Sequence, residues 1–239
     1  MTSRLPLFPL GSVLFPGLVL PLTIFEERYR ALARDLLALP EDAPRRFGVV
    51  AIRDGQEVAP TGPGIPDGGA AAGFGPDPAR AFYEVGCVAD TASLREKDDG
   101  GYELMATGTT RFRLLSVDAT GPYLMGEVEF LEETAGPGAG PLGAEVERAF
   151  RTYQKQLAGA RERTLSAAQE LPDDPAVLSY LVAAATVVEV PVRQRLLEAA
   201  DAASRLREEL KLLRLETAVI GKLPSLPATE LTRQPTSHN

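Results

Sequence analysis

The chain of 239 residues is 44% hydrophobic and 24% charged, enough apolar content for one large core or two small ones. Its formal net charge of −8, with an isoelectric point near 4.9, has the wrong sign for gripping phosphate backbones and argues against nucleic acid as a partner. No apolar run reaches the ~18 residues of a membrane span and Met1 to Ser12 lacks the build of a secretory signal, so a cytoplasmic protein is expected; Cys87 and His238, each the only one of its kind, leave no disulfide and no His/Cys metal set, and no cofactor is expected.

In chain order, the opening segment from Arg4 to Leu22 carries Pro6, Pro9, Pro16 and Pro21, which forbid helix interior and favour short extended pieces broken by turns. From Thr23 the period changes. Phe25, Tyr29, Leu32, Leu36 and Leu39 follow helical spacing as one amphipathic stripe, with Thr23 and Glu26 placed for a capping box. FGVVAIR (47–53) has strand length and apolar density. Residues 54–80 hold seven glycines and five prolines, too little side chain to offset ordering entropy, and are expected to form a mobile loop.

Strands are expected again at 81–94, 102–108, 111–117 and 123–131, with EKDDGG (96–101) as a turn; short strands at this spacing fit a small barrel or a strongly bent sheet. TAGPGAGPLG (134–143) reads as a linker. Beyond it Val146, Phe150, Tyr153 and Leu157 form one helical stripe, and Asp174 with Pro175 starts a second helix. Pro191 opens a third running to Ile220, about 45 Å at 1.5 Å per residue. Its seam of Leu196, Ala199, Ala203, Leu206, Leu210, Leu213 and Ile220 is expected to pack within the chain, leaving a monomer or weak dimer. The basic residues Arg193, Arg195, Arg205, Arg207, Lys211 and Arg214 alternate with glutamates and read as a solvated helix face. The expected organisation is a β-rich part over 1–133, a linker over 134–143, a helical subdomain over 144–223 and a disordered tail over 224–239.

Catalytic chemistry is not encoded in any familiar pattern. There is no phosphate-binding G-x-x-x-x-G-K-[ST], no G-x-S-x-G elbow, and no Ser-His or Cys-His pair to be built from a single terminal histidine. Acid pairs such as Asp98 with Asp99 are sequence neighbours that point different ways, suited to turns and caps. Cys87, in EVGCVAD, reads as a small core residue.

Several linked motifs resemble the N-terminal domain of the Lon protease family. They are the Pro-Leu-rich strand Pro6 to Leu10, Phe15-Pro16, Pro21-Leu22, Phe25 to Tyr29, then GVVAIR, FYEVGCVA, GYELMATGTTRFRLLSV and the helical RQRLLEAADAASRLREELKLLRLE, covering about residues 4 to 220. The resemblance implies an α+β fold, a PUA-like bent sheet or pseudo-barrel followed by a helical bundle with one long C-terminal helix. It also implies a non-catalytic role in engaging unfolded or tagged polypeptide, as an adaptor or holdase linked to proteolysis, with a protease or chaperone as a further partner. The family's ATPase and peptidase modules are expected to be missing, and GPGAG (136–140), similar to the Gly-Pro-Ser-Ala-Gly around the family's nucleophile, has Gly138 where the serine would stand. Polypeptide binding needs an apolar groove or an open sheet edge. The candidate binding residues are Phe15, Pro16, Phe25, Glu26, Arg28, Tyr29, Tyr83, Arg111 and Phe112, with Phe82 beside them. Strand alternation and the helix stripe place most of these aromatics in the core; Phe25 and Tyr29 are expected to be structural and Arg28 to lie nearer a rim. Two alternatives stay open: a PUA-like sensor of a small molecule or nucleic-acid component, and a hydrolase with an unrecognised site.

Overall fold

The computed structural model describes residues 2–58, 69–160 and 170–222. The proline-rich start forms extended pieces broken by a turn, as its sequence indicates; the first is β1 (Thr2–Leu10). Its first half pairs antiparallel with β6 (Met125–Phe130) and its second half parallel with β3 (Arg46–Ala51). Each half therefore has a single ladder partner, which leaves room for Pro6 and Pro9 to turn their missing donors away. A turn through Pro16 and Gly17, the latter at a φ of 80°, leads into β2 (Val19–Ile24).

Two expected strands, 102–108 and 111–117, are one: β5 runs from Tyr102 to Asp118. Its first part pairs with β2, its last part with β6, and most of its length with β4 (Val85–Glu96). The sheet order β2-β5-β4-β3-β1-β6 closes through the additional β5–β6 pairing into a pseudo-barrel. Closure requires β5 to bend. Register shifts between Cys87 and Ala89 and between Leu114 and Ser116 mark the bends, and at Gly108 any Cβ would collide with the Phe15 carbonyl.

Helix α1 (Glu27–Ala38) starts later than its stripe predicted. The capping box does not form: Thr23 is held in β2 by its pairing with Glu103, and Glu26 occupies the N-cap with its side chain directed to Arg28 and not to the helix N–H groups. Phe25 thus precedes the helix and is 62% exposed, while Tyr29, Leu32 and Leu36 pack on Phe8, Phe47 and Leu104. A second interior cluster, including Leu7, Phe82, Phe112 and Val128, fills the barrel.

Helix α2 (Ala139–Ala160) begins within the expected linker. Asp174 caps α3 (Pro175–Ala185) as the sequence indicates, accepting from the backbone N–H groups of Ala176 and Val177. The single long C-terminal helix is broken into α4 (Val190–Glu198) and α5 (Ala202–Ile220). The break has a local cause: Asp201 turns back to accept from Ser204 N–H at 2.7 Å and restarts the helix. Leu206, Leu210 and Leu213 of the expected seam face Val146, Phe150 and Tyr153 of α2, but Leu196 packs toward the barrel with Phe15, Val85 and Tyr180. The expected tail, 224–239, and residues 59–68 of the expected loop lie outside the described residues. No helix among the described residues is long and apolar enough to cross a membrane.

Candidate functional site

The candidate residues fall into two separate groups. The first is built around Arg28, which is 7% exposed and does not lie on a rim. Its guanidinium donates to the Ala72 carbonyl at 2.6 Å and the Glu57 carbonyl at 3.2 Å, pairs with Glu26 at 3.0 Å, and lies over the rings of Tyr29 and Phe74. Tyr29 in turn stacks on Phe8 at 4.2 Å between centroids, and burial raises its hydroxyl pKa. The expected Gly/Pro loop thus has two of its carbonyls, those of Glu57 and Ala72, held by this guanidinium. Its described part from Gly69 to Ala81 holds two 3-10 turns with Ala70 and Phe74 buried, because Arg28 supplies donors to carbonyls that no strand or helix satisfies. Glu26, Arg28 and Tyr29 serve as an internal staple.

The second group surrounds a cleft of about 730 Å³ between the barrel and α3. Pro16, Thr109, Thr110 and Arg111 line it from the barrel, Phe130 to Glu133 from β6 and its exit, and Ala176, Val177 and Tyr180 from α3. Beneath it lies an ion network. Glu133 meets Arg111 at 2.9 Å and Arg205 of α5 at 3.2 Å, and also accepts from the Tyr180 hydroxyl. Arg111 reaches across to the carbonyls of Leu197 and Ala199 at 2.8 and 2.6 Å. Arg205 donates to Leu196 O, Ser179 Oγ and Tyr180 Oη and sits 3.9 Å over the Tyr180 ring. Burial raises the Tyr180 pKa, with the Arg205 charge opposing. The floor is thus pinned by groups from the sheet and from α3, α4 and α5, so the cleft is pre-formed.

Of the candidate residues, Pro16 and Arg111 line this cleft, and Phe15 supports it from behind with its ring 6.2 Å from that of Tyr180. Tyr83 is partly buried in the same interlobe cluster. Phe112 is wholly buried inside the barrel, where its ring packs into the space that glycines at 48 and 86 leave open, and Phe82 is buried against Phe74. Phe25 lies apart, exposed beyond the end of β2. Sequence reasoning missed Phe130, Glu133, Val177, Tyr180 and Arg205. Arg205 was expected on a solvated face and is fully buried; its i−4 neighbour Asp201, a helix-start residue in the middle of the expected helix, is the signal that the face turns there. Among the described residues no group of three or more His, Cys, Asp or Glu could hold a metal ion.

A family profile described as the ATP-dependent protease La (LON) substrate-binding domain matches residues 4–214. The chain belongs to the Lon substrate-binding domain family. Among curated proteins it is 29% identical to Lon protease 2 of Myxococcus xanthus and 26% identical to the Lon protease of Anaeromyxobacter dehalogenans, each over 96% of this chain. The chain spans about a quarter of the length of those relatives, 26% and 25%. In fold it is similar to a Lon N-terminal domain protein from Xanthomonas campestris, with a TM-score of 0.55 over 93% of this chain and 99% of that one at 24% identity. It is also similar to the N-terminal domain of the Mycobacterium avium complex Lon protease, with a TM-score of 0.56 over 90% and 98% of the two chains at 19% identity. The α+β architecture, a six-stranded sheet followed by helices, is that of Lon N-terminal domains. The matched part of the family is its non-catalytic, substrate-binding part, in a setting of proteolysis.

Proposed function

We propose that this chain holds exposed apolar stretches of unfolded or tagged polypeptide in the interlobe cleft and delivers them to proteolysis, as an adaptor or holdase. One observation carries the reading. Phe130 and Val177, 44% and 51% exposed, stand on opposite walls of the cleft, one on the barrel and one on α3, above a floor that is already fixed. Large apolar side chains held in water on a rigid frame gain by covering, and a pre-formed frame loses little entropy when a chain docks. The volume is that of a pocket for a few side chains, which suits short apolar motifs and not a folded surface.

Binding of unfolded, reduced lactalbumin, read by fluorescence anisotropy, tests it. Phe130→Ser and Val177→Ser each remove an exposed group, so melting temperature stays within about 2 °C. Affinity is expected to fall by roughly tenfold when both are replaced, as for two lost apolar anchors. Undiminished affinity in the double variant refutes the cleft as the binding site.

A further inference from the structure

A second groove, of about 660 Å³, runs between α2 and α5 and shares no lining residue with the interlobe cleft. The two helices run in the same sense here: Glu145 meets Arg214 near one end, and Gln156 lies against Gly221 at the other. From Glu145 to Gln156 the trough is ~16 Å long at 1.5 Å per residue. Its walls are low because small side chains form them, Ala149 and Thr152 on α2 and Thr217, Ala218 and Gly221 on α5, and its floor is Leu210 and Leu213.

Charge is the unexpected feature. In a chain of net charge −8 this groove holds Arg148, Arg214 and Lys222 against a single carboxylate, Glu145, which sits 3.7 Å from Arg214. Arg148 and Lys222 are exposed and have no ion-pair partner among the described residues. Gln156 adds a buried Oε1 with no hydrogen-bond partner. None of these groups touches the interlobe cleft, so the feature is independent of it.

We infer that this groove is a docking site for an acidic amphipathic helix of a partner protein. The walls are helices whose backbone groups are already bonded internally, so an extended strand laid here would leave its own N–H and C=O groups unpaired. A helix brings its backbone satisfied, and small residues along the trough let its axis approach to the usual ~8–10 Å. Its apolar stripe covers Leu210, Leu213 and Ala149, while flanking glutamates or aspartates reach Arg148, Arg214 and Lys222. The remaining surface of this acidic protein repels such a helix, which gives the groove selectivity through the same charges.

The test uses the whole protein and a synthetic helical peptide of about 15 residues, enough to fill the trough, with a leucine-alanine stripe flanked by glutamates. Two controls accompany it: the same peptide with lysine for every glutamate, and the acidic peptide broken by a central proline. Affinity by anisotropy and the location by amide chemical-shift changes are the readouts. The acidic helix is expected to bind at least about tenfold tighter than either control, with shifts confined to α2 and α5 and affinity falling as salt rises from about 50 to about 300 mM. Arg148→Glu with Lys222→Glu, both exposed, is expected to remove that advantage without moving the melting temperature. Equal binding of the lysine peptide, equal binding of the proline-broken peptide, shifts located elsewhere, or no binding of the acidic helix each overturns the inference.

Discussion

Glu133 is the carboxylate that ion-pairs with both buried cations, Arg111 and Arg205, and replacing it by alanine tests whether the lobes are held by that network. Arg205 is wholly buried and Arg111 is 3% exposed, so after Glu133→Ala neither guanidinium keeps an ion pair among the described residues. Losing one partner of a buried pair costs about 3–5 kcal/mol. The Glu133 side chain is 29% exposed, which admits water to the vacated space and places the expectation at the lower end, about 3 kcal/mol. For a chain of this size ~1 kcal/mol moves the melting temperature by ~2–4 °C, so a fall of about 6–12 °C is expected by differential scanning calorimetry. Glu132→Ala, one residue earlier on the exposed rim, is the control and is expected to stay within about 0.5 kcal/mol. Adding Arg205→Met to Glu133→Ala is expected to recover part of the loss, because the stranded charge leaves with its partner and an apolar chain of similar length fills the site. A Glu133→Ala protein that melts with the Glu132→Ala protein refutes the network as the tie between barrel and helices.

Tyr29→Ala removes a ring stacked on Phe8 in the core and is expected to cost about 3–5 kcal/mol in denaturant unfolding, whereas Phe25→Ala, at 62% exposure, is expected to change stability by less than about 0.5. Glu209 on α5 is 1% exposed with both carboxylate oxygens unbonded, and burial raises its pKa well above the usual range, Arg205 opposing. The folded state therefore favours the protonated carboxyl, so its contribution to stability is full below the ordinary carboxylate pKa and is lost as pH rises through the raised folded value. Glu209→Gln is expected to melt higher than the native protein at about pH 8 and together with it at about pH 4, and parallel pH curves for the two would contradict this.

Much of the architecture was legible because hydrophobic period and turn chemistry are local. Leu32 and Leu36 on α1, Val146, Phe150 and Tyr153 on α2, and the Asp174 cap all lie where their spacing puts them. Departures occur where a distant partner overrides a local preference. Thr23 pairs with Glu103 in a sheet and so cannot cap a helix; residues 109–110 continue a strand because β5 must reach both β2 and β6. The site was less legible for the same reason. Arg28 looked like a rim residue by helical angle, but the carbonyls that it meets are those of Glu57 and Ala72, and helix geometry alone says nothing of them. Arg205 and Glu133 are 72 residues apart, each ordinary in its own context, and only the packing of α5 on the barrel makes them a pair.

The segment joining the two halves explains why the cleft keeps its width. Thr134 and Ala135 look like the start of a flexible connection, but their carbonyls accept from the N–H groups of Ala202 and Ala203 at 3.0 and 2.9 Å, the first-turn donors that α5 itself leaves unpaired. At Gly136, with φ of 70°, a Cβ would come within 2.5 Å of the Asp201 carboxyl that caps the same helix. Glycine here allows close contact between the crossing chain and the helix start, and is not a sign of freedom. Glu133 is the residue just before this clamp, and Arg205 lies one turn into the helix that the clamp begins. Backbone bonds and the Glu133–Arg205 ion pair therefore fix the same junction from two sides. The wall bearing Phe130 and the wall bearing Val177 then stand at a set separation, so the proposed docking of a polypeptide between them would use a cleft whose ordering cost has already been met in folding.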